Sequence, residues 1–156
     1  MSRSEEPDET FHHPSDSAVQ RRAEGLILAE LSSRFGVVLE QRVELELGDA
    51  SVEVDGVDKD QSYFVEVFSR VGTLKGGQVK KVSEDALKLM AVGENRPNSK
   101  LVLAFASHEA ADSIRGWRSA VISALDIQIE IVELGPGEQA KIEAVQIKQR
   151  MENPDP

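Results

Sequence analysis

The chain has 156 residues, a formal net charge of −10 and no cysteine, which excludes disulfides and cysteine-ligated zinc. Its length fits one domain of about five strands and three helices. No run approaches the roughly 20 apolar residues of a membrane span, and nothing near Met1 resembles a signal peptide, so a cytoplasmic protein without membrane contact is expected.

Residues 1–15 (MSRSEEPDETFHHPS) are polar and acidic and read as a disordered tail. A single domain is expected over 16–151, with a flexible end at 152–156. His12 and His13 lie in the tail with only His108 elsewhere, too few and too scattered for a histidine metal centre. From Asp16, read as an N-cap, Ala18, Ala23, Leu26, Ile27, Leu31 and Phe35 recur near helical spacing, and Gly36 suits a C-terminal stop. In VVLEQRVELEL, Leu39, Val43, Leu45 and Leu47 alternate with Glu40, Arg42, Glu44 and Glu46, the period of a half-buried strand. Gly48-Asp49 turns the chain.

A second strand is predicted at 51–57, with Val52 and Val54 opposite Glu53 and Asp55. A third is predicted at 62–68, with Tyr63, Val65 and Val67 opposite Phe64, Glu66 and Phe68. Short links between the three argue an antiparallel meander. Val79, Val82, Ala86, Leu87 and Met90 make a helical stripe over 77–91, and LVLAFA (101–106) reads as a central strand covered on both faces. Ser107 is placed to cap a helix at 108–125 whose buried stripe is Ile114, Trp117, Val121, Ile122 and Leu125, with Trp117 in the core and Arg115 and Arg118 as solvated neighbours. A fifth strand follows at 127–134. Residues 138–151 have helix-forming composition, although AKIEAVQI also permits a strand. The expectation is an α/β sandwich on a mixed five-stranded sheet flanked by helices.

Asp55 and Glu66, eleven residues apart, fall on neighbouring antiparallel strands, where two carboxylates are suited to holding a divalent metal. The following segment, 70–81, carries Arg70, Lys75, Lys80 and Lys81 with no acid, the clearest basic stretch in an acidic chain. It offers Arg70, Lys75 and Lys80 as contacts to nucleic-acid phosphates. Gly72, Gly76 and Gly77 are too scattered for a phosphate-binding P-loop. The net charge alone would suit a protein mimicking nucleic acid, and this basic stretch weighs against that.

The αβββαβαβ order, with Val54-Asp55 on the second strand and Glu66-Val67-Phe68 on the third, resembles the PD-(D/E)XK nuclease superfamily, the restriction-endonuclease-like fold. The resemblance spans about residues 17–134. It implies metal-dependent phosphodiester hydrolysis on DNA with Mg²⁺ or Mn²⁺, and commonly a homodimer. Asp55, Glu66 and the Val67 carbonyl would be the metal's ligands. A further glutamate on the first helix is implied, Glu24 or Glu30, with Glu30 preferred. Gln78 matches a glutamine found on the next helix in some branches. Phe68 stands where the family has its lysine, and it can neither donate a hydrogen bond nor stabilise an anion. In some members that lysine migrates to the following helix, which leaves Lys75, Lys80 or Lys81, with Lys75 and Lys81 the ones carried forward. The competing reading is an inactive nuclease-fold module that binds DNA or a protein partner.

Overall fold

The computed structural model describes residues 14–152. Residues 1–13, with His12 and His13, and the last four residues lie outside that range, while residues 14 and 15, expected to belong to a disordered tail, open the first helix. Among the described residues the architecture is α/β, with five helices and one open five-stranded mixed sheet in the order β1-β2-β3-β4-β5. No helix here is long and apolar enough to cross a membrane.

Helix α1 (Pro14–Phe35) buries Ala23, Ile27, Leu28 and Leu31. It starts before Asp16, so Asp16 is not its N-cap. The carboxylate sits in the first turn, where it complements the helix dipole, and lies 3.6 Å from Lys148. Gly36 ends the helix at φ +72, its N–H donating to Ser32 O at 2.9 Å, as the sequence suggested.

Strands β1 (Leu39–Leu47) and β2 (Ala50–Asp58) form a hairpin that turns at Gly48, φ +62. The expected alternation fails within it. Leu39 packs with α1, whereas Val43 and Leu45 pack in the opposite layer. The cause is Arg42, whose left-handed backbone (φ 58) breaks the pleat and turns the strand over. Opposite this break, between the paired Gln41↔Gly56 and Val43↔Val54, lies Asp55. Strand β2 flips with its partner: Val54 and Val57 share one layer, while Gly56 faces Leu28 so closely that a Cβ would lie 2.4 Å from Leu28 Cδ2.

Strand β3 (Tyr63–Phe68) completes the antiparallel meander, and its ladder with β2 spans only Gly56↔Val65 and Val57↔Phe64. Strand β4 (Lys100–Phe105) runs parallel to β3 and to β5 (Ile127–Ile131), and it is covered on both faces as its unbroken apolar run implied. Val65, Val67, Val102 and Ala104 face α1 and α5 (Pro136–Glu152). Phe64, Leu103 and Phe105 face α2 (Gly76–Glu94) and the helices after β4. The C-terminal segment is therefore helical.

Two expectations need correction on that second face. The helix predicted over 108–125 is two, α3 (His108–Asp112) and α4 (Gly116–Ala124). Ser107 caps α3 as expected, accepting from Ala110 N–H at 3.1 Å. Ser113 then donates to Glu109 O and accepts from Leu74 N–H, and Gly116 at φ +61 redirects the chain. The apolar stripes are also wider than the arcs the sheet covers. Leu89 and Val92 fill the core in place of Leu87 and Met90, and Trp117 and Val121 are exposed rather than buried. The Arg118 guanidinium lies 4.6 Å from the Trp117 ring centroid.

Candidate functional site

Where β2 and β3 part company, an open cleft of roughly 500 Å³ forms between α1 and α2. Past Gly56 the backbone ladder stops, and two side chains take over the unpaired amides. Asp55 Oδ2 accepts the Val67 N–H at 2.8 Å, and Glu66 Oε2 accepts the Asp55 N–H at 3.3 Å. Each acid thus secures the other's strand, which satisfies backbone donors that would otherwise be stranded in a part-buried position. The face change at Arg42 and Asp55 is what turns the Asp55 carboxylate toward β3.

Helix α2 lines the opposite wall. Gln78, Lys81, Asp85 and Lys88 follow one another at helical spacing and all border the cleft. Lys88 Nζ lies 3.2 Å from Glu66 Oε1, donates to Glu53 O at 2.8 Å, and sits 3.9 Å from Asp85. Lys81 Nζ donates to both oxygens of buried Asp85, at 3.0 and 3.1 Å. Glu24 enters from α1 and accepts from Arg42 at 3.1 Å.

Burial dominates the electrostatics. The Glu66 carboxyl is pushed up to about 8, first by burial and then by Asp55 and Asp85, against the pull of Lys88. Burial also raises Asp55, with Asp85 adding to it, although the Val67 N–H and the two lysines oppose the shift. Glu24 rises through burial and the nearby Asp55. For Lys81, burial alone would lower the pKa, and the Asp85 carboxylate outweighs it, so the ammonium is held more firmly. Crowded carboxylates that are disfavoured as anions form an environment in which an added cation gains interaction energy.

The cleft brings together Asp55, Glu66, Val67, Gln78, Lys81, Arg70 and Glu24. It leaves out Glu30, which bonds Arg34 at 3.1 Å on another part of α1, where Arg34 also reaches Glu130. Exposed Lys75 precedes α2 and contributes its backbone N–H to Gln78 Oε1 at 2.9 Å, so Gln78 caps that helix. Exposed Lys80 also lies off the cleft lining. Phe68 lines the cleft with its ring stacked on Phe105, centroids 5.2 Å apart. Sequence reasoning missed Lys88 and Asp85. Their signal was a polar ridge at 78, 81, 85 and 88 running beside the buried stripe of 82, 86 and 89.

Loop 69–75, which carries Arg70, is fastened from three sides. Gln146 brackets Val71, accepting its N–H at 2.9 Å and donating to its carbonyl at 3.2 Å. Ser107 takes the Gly72 N–H and Ser113 the Leu74 N–H.

Among the described residues no three of His, Asp and Glu cluster closely enough to hold a metal by themselves. Mg²⁺ is commonly bound through only one or two carboxylates, with waters and substrate phosphates completing its shell. Asp55 and Glu66, hard oxygen donors on adjoining strands, fit that requirement. No family model, curated protein or solved structure matches this chain.

Proposed function

We propose that this protein is a PD-(D/E)XK-type, metal-dependent nuclease-like protein acting on DNA phosphodiesters, with Asp55 and Glu66 as the ligands of Mg²⁺ or Mn²⁺. The observation that carries the reading is the placement of Lys88 Nζ 3.2 Å from Glu66 in the cleft shared with Asp55. Phe68 cannot supply a cation, and α2 delivers one to the same carboxylate pair from the other wall. Lys88 therefore takes the role expected of Lys75 or Lys81: Lys75 lies off the cleft, and Lys81 pairs with Asp85 whereas Lys88 reaches Glu66 itself. The order of α1, β1, β2, β3, α2 and β4, with the acids on β2 and β3, supports the restriction-endonuclease-like assignment.

In this account Asp55 and Glu66 hold the cation, which when bound supplies Lewis acidity toward the phosphate. Lys88 places an ammonium beside the reacting phosphate, where charge accumulates in the transition state. Arg70, on the fastened loop at the cleft edge, orients the strand, and Lys75 and Lys80 attract it from farther out.

A second reading has its own support. The Glu66–Lys88 and Asp85–Lys81 pairs and the Asp55–Val67 bond satisfy the acids internally. This suits a module that binds DNA or a protein partner without cleaving it. Calorimetric titration with Mn²⁺ separates the two. The nuclease reading expects heat of binding in the wild type that is lost in Asp55→Ala, and equal heats, or none, would reject Asp55 as a ligand.

A further inference from the structure

Phe68 and Phe105 are paired in register on the parallel strands β3 and β4. Their rings stack with centroids 5.2 Å apart and planes 17° from parallel. That spacing is close to the roughly 4.8 Å between neighbouring strands, so the stack runs sideways along the sheet. Fully buried Phe105 braces one face of the Phe68 ring, and the Phe68 carbonyl accepts the Ala106 N–H at 3.1 Å, which fixes the backbone beneath it. The opposite face of the ring is turned away from β4, toward β2. At this level β2 has parted from β3, because their ladder ends at Gly56↔Val65. Half-buried Phe68 therefore borders the cleft as a rigid aromatic surface, with Val52 of β2 also in the lining.

The two-residue period of a strand puts Phe68 on the same face as Glu66, beside the carboxylate pair. An aromatic ring cannot neutralise a phosphate, but it stacks on nucleobases of any sequence, since every base has a π-face. In a duplex both faces of each base are covered by its neighbours. Only an unpaired or extruded base can use such a surface.

The charges of the cleft agree with one strand rather than two. Loop 69–75 and α2 bring Arg70, Lys81 and Lys88 to one side, with Asp85 between the lysines. From α1 and β2 come Glu24, paired with Arg42, and Glu53, which is exposed like its cross-strand partner Glu44. A single strand has a charged phosphate edge and a neutral base edge, which suits one basic and one acidic wall. A duplex carries phosphates on both edges, and one set would meet the glutamates.

We propose that Phe68 is a stacking platform for an unpaired nucleobase, and that the cleft takes a single strand of DNA, including the unpaired arm of a branched molecule. The platform rests on the reading of the cleft as a DNA phosphodiester site and adds the substrate class that the site selects. With Lys88 delivering a cation from α2, position 68 is left to a side chain that holds a base.

The test is fluorescence anisotropy on the full chain, with Ca²⁺ replacing Mg²⁺ to hold back cleavage. The probe is a labelled oligonucleotide of about 15 nucleotides, single-stranded or annealed to its complement. A second single strand carries 2-aminopurine, whose emission is quenched when it stacks on an aromatic ring. The single strand should bind at least about tenfold tighter than the duplex, with quenching on binding. Phe68→Leu keeps an apolar side chain without the π-face. It should weaken single-strand binding between about fivefold and a hundredfold and reduce the quenching, whereas Phe68→Tyr should retain both. Circular dichroism checks the fold of Phe68→Leu, and if that variant does not fold, the wild-type strand preference and quenching decide. Duplex bound as tightly as single strand, or affinity and quenching unchanged in Phe68→Leu, would overturn the platform. Metal-dependent cleavage that Glu66→Gln abolishes would still stand in that case, so the nuclease reading survives it. No binding of either probe would overturn both.

Discussion

Asp55 and Glu66 each accept a backbone N–H from the other's strand, Val67 to Asp55 at 2.8 Å and Asp55 to Glu66 at 3.3 Å. The pair replaces the ladder where β2 and β3 separate, so these carboxylates tie the two strands together and furnish the cleft at once. That arrangement carries a cost, because Glu66 is buried, Asp55 is half-buried, and the Glu66 carboxyl is pushed up to about 8.

The cost has a direction in pH. A carboxyl whose folded pKa exceeds its unfolded value keeps a proton that the unfolded chain has released. Stability therefore falls as pH rises from about 4.5 toward 8, then levels off. Glu66→Gln should remove this slope. Thermal melts should show the variant more stable than wild type near pH 8.5, the two converging near pH 4.5. A variant less stable than wild type at pH 8.5 would mean that the ionised carboxylate is net stabilising.

Lys88→Met should act in the opposite sense. Without its cation, the Glu66 carboxyl rises further, so the loss grows with pH. A cost of about 1–3 kcal/mol near pH 9 is expected, below the fully buried range because the Lys88 side chain is 26% exposed. Near pH 5, where Glu66 is protonated in either protein, the difference should shrink. A loss independent of pH would point to packing of the lysine stem, and the ion pair would then contribute little.

Gln146 fixes the loop that bears Arg70. Gln146→Ala removes one donor and one acceptor from Val71 and should cost about 1–2 kcal/mol. Hydrogen exchange at the Val71 amide should quicken more than at Ile129 in β5. Equal acceleration at both would show general destabilisation without a specific role in the loop.

Much of this fold was legible because local chemistry and global packing agree. Alternation marked the strands, the unbroken run LVLAFA marked the doubly covered β4, and Gly36 and Ser107 marked helix ends. The face change escaped notice because arginine carries no sign of a left-handed backbone, and the alternation continues through it. The α3–α4 break escaped because it depends on Ser113 bonding to Leu74, 39 residues away. For the site, strand position indicated Asp55 and Glu66. Lys88 and Asp85 were hidden because a polar ridge on a helix looks the same whether it faces solvent or a carboxylate pair.

Contact with nucleic acid should follow the basic segment. Affinity for DNA is expected to fall with salt, and neutralising Arg70, Lys75 or Lys80 should each reduce the salt slope by about 0.7–0.9 while weakening binding uniformly across sequences. Binding indifferent to salt, or unchanged when all three are alanine, would remove this segment from the interface.

The proposal that Lys88 serves the Asp55–Glu66 pair is tested most directly by a cleavage assay. Single-stranded, duplex and branched DNA would each be incubated with Mg²⁺ or Mn²⁺ and with wild type, Glu66→Gln, Lys88→Met or Lys75→Ala. Losing one transition-state cation costs on the order of 3 kcal/mol, about a hundredfold in rate. Metal-dependent cleavage should vanish in Glu66→Gln, fall at least about a hundredfold in Lys88→Met, and persist in Lys75→Ala. Cleavage that survives Glu66→Gln, or none from the wild type on any substrate, would contradict the account.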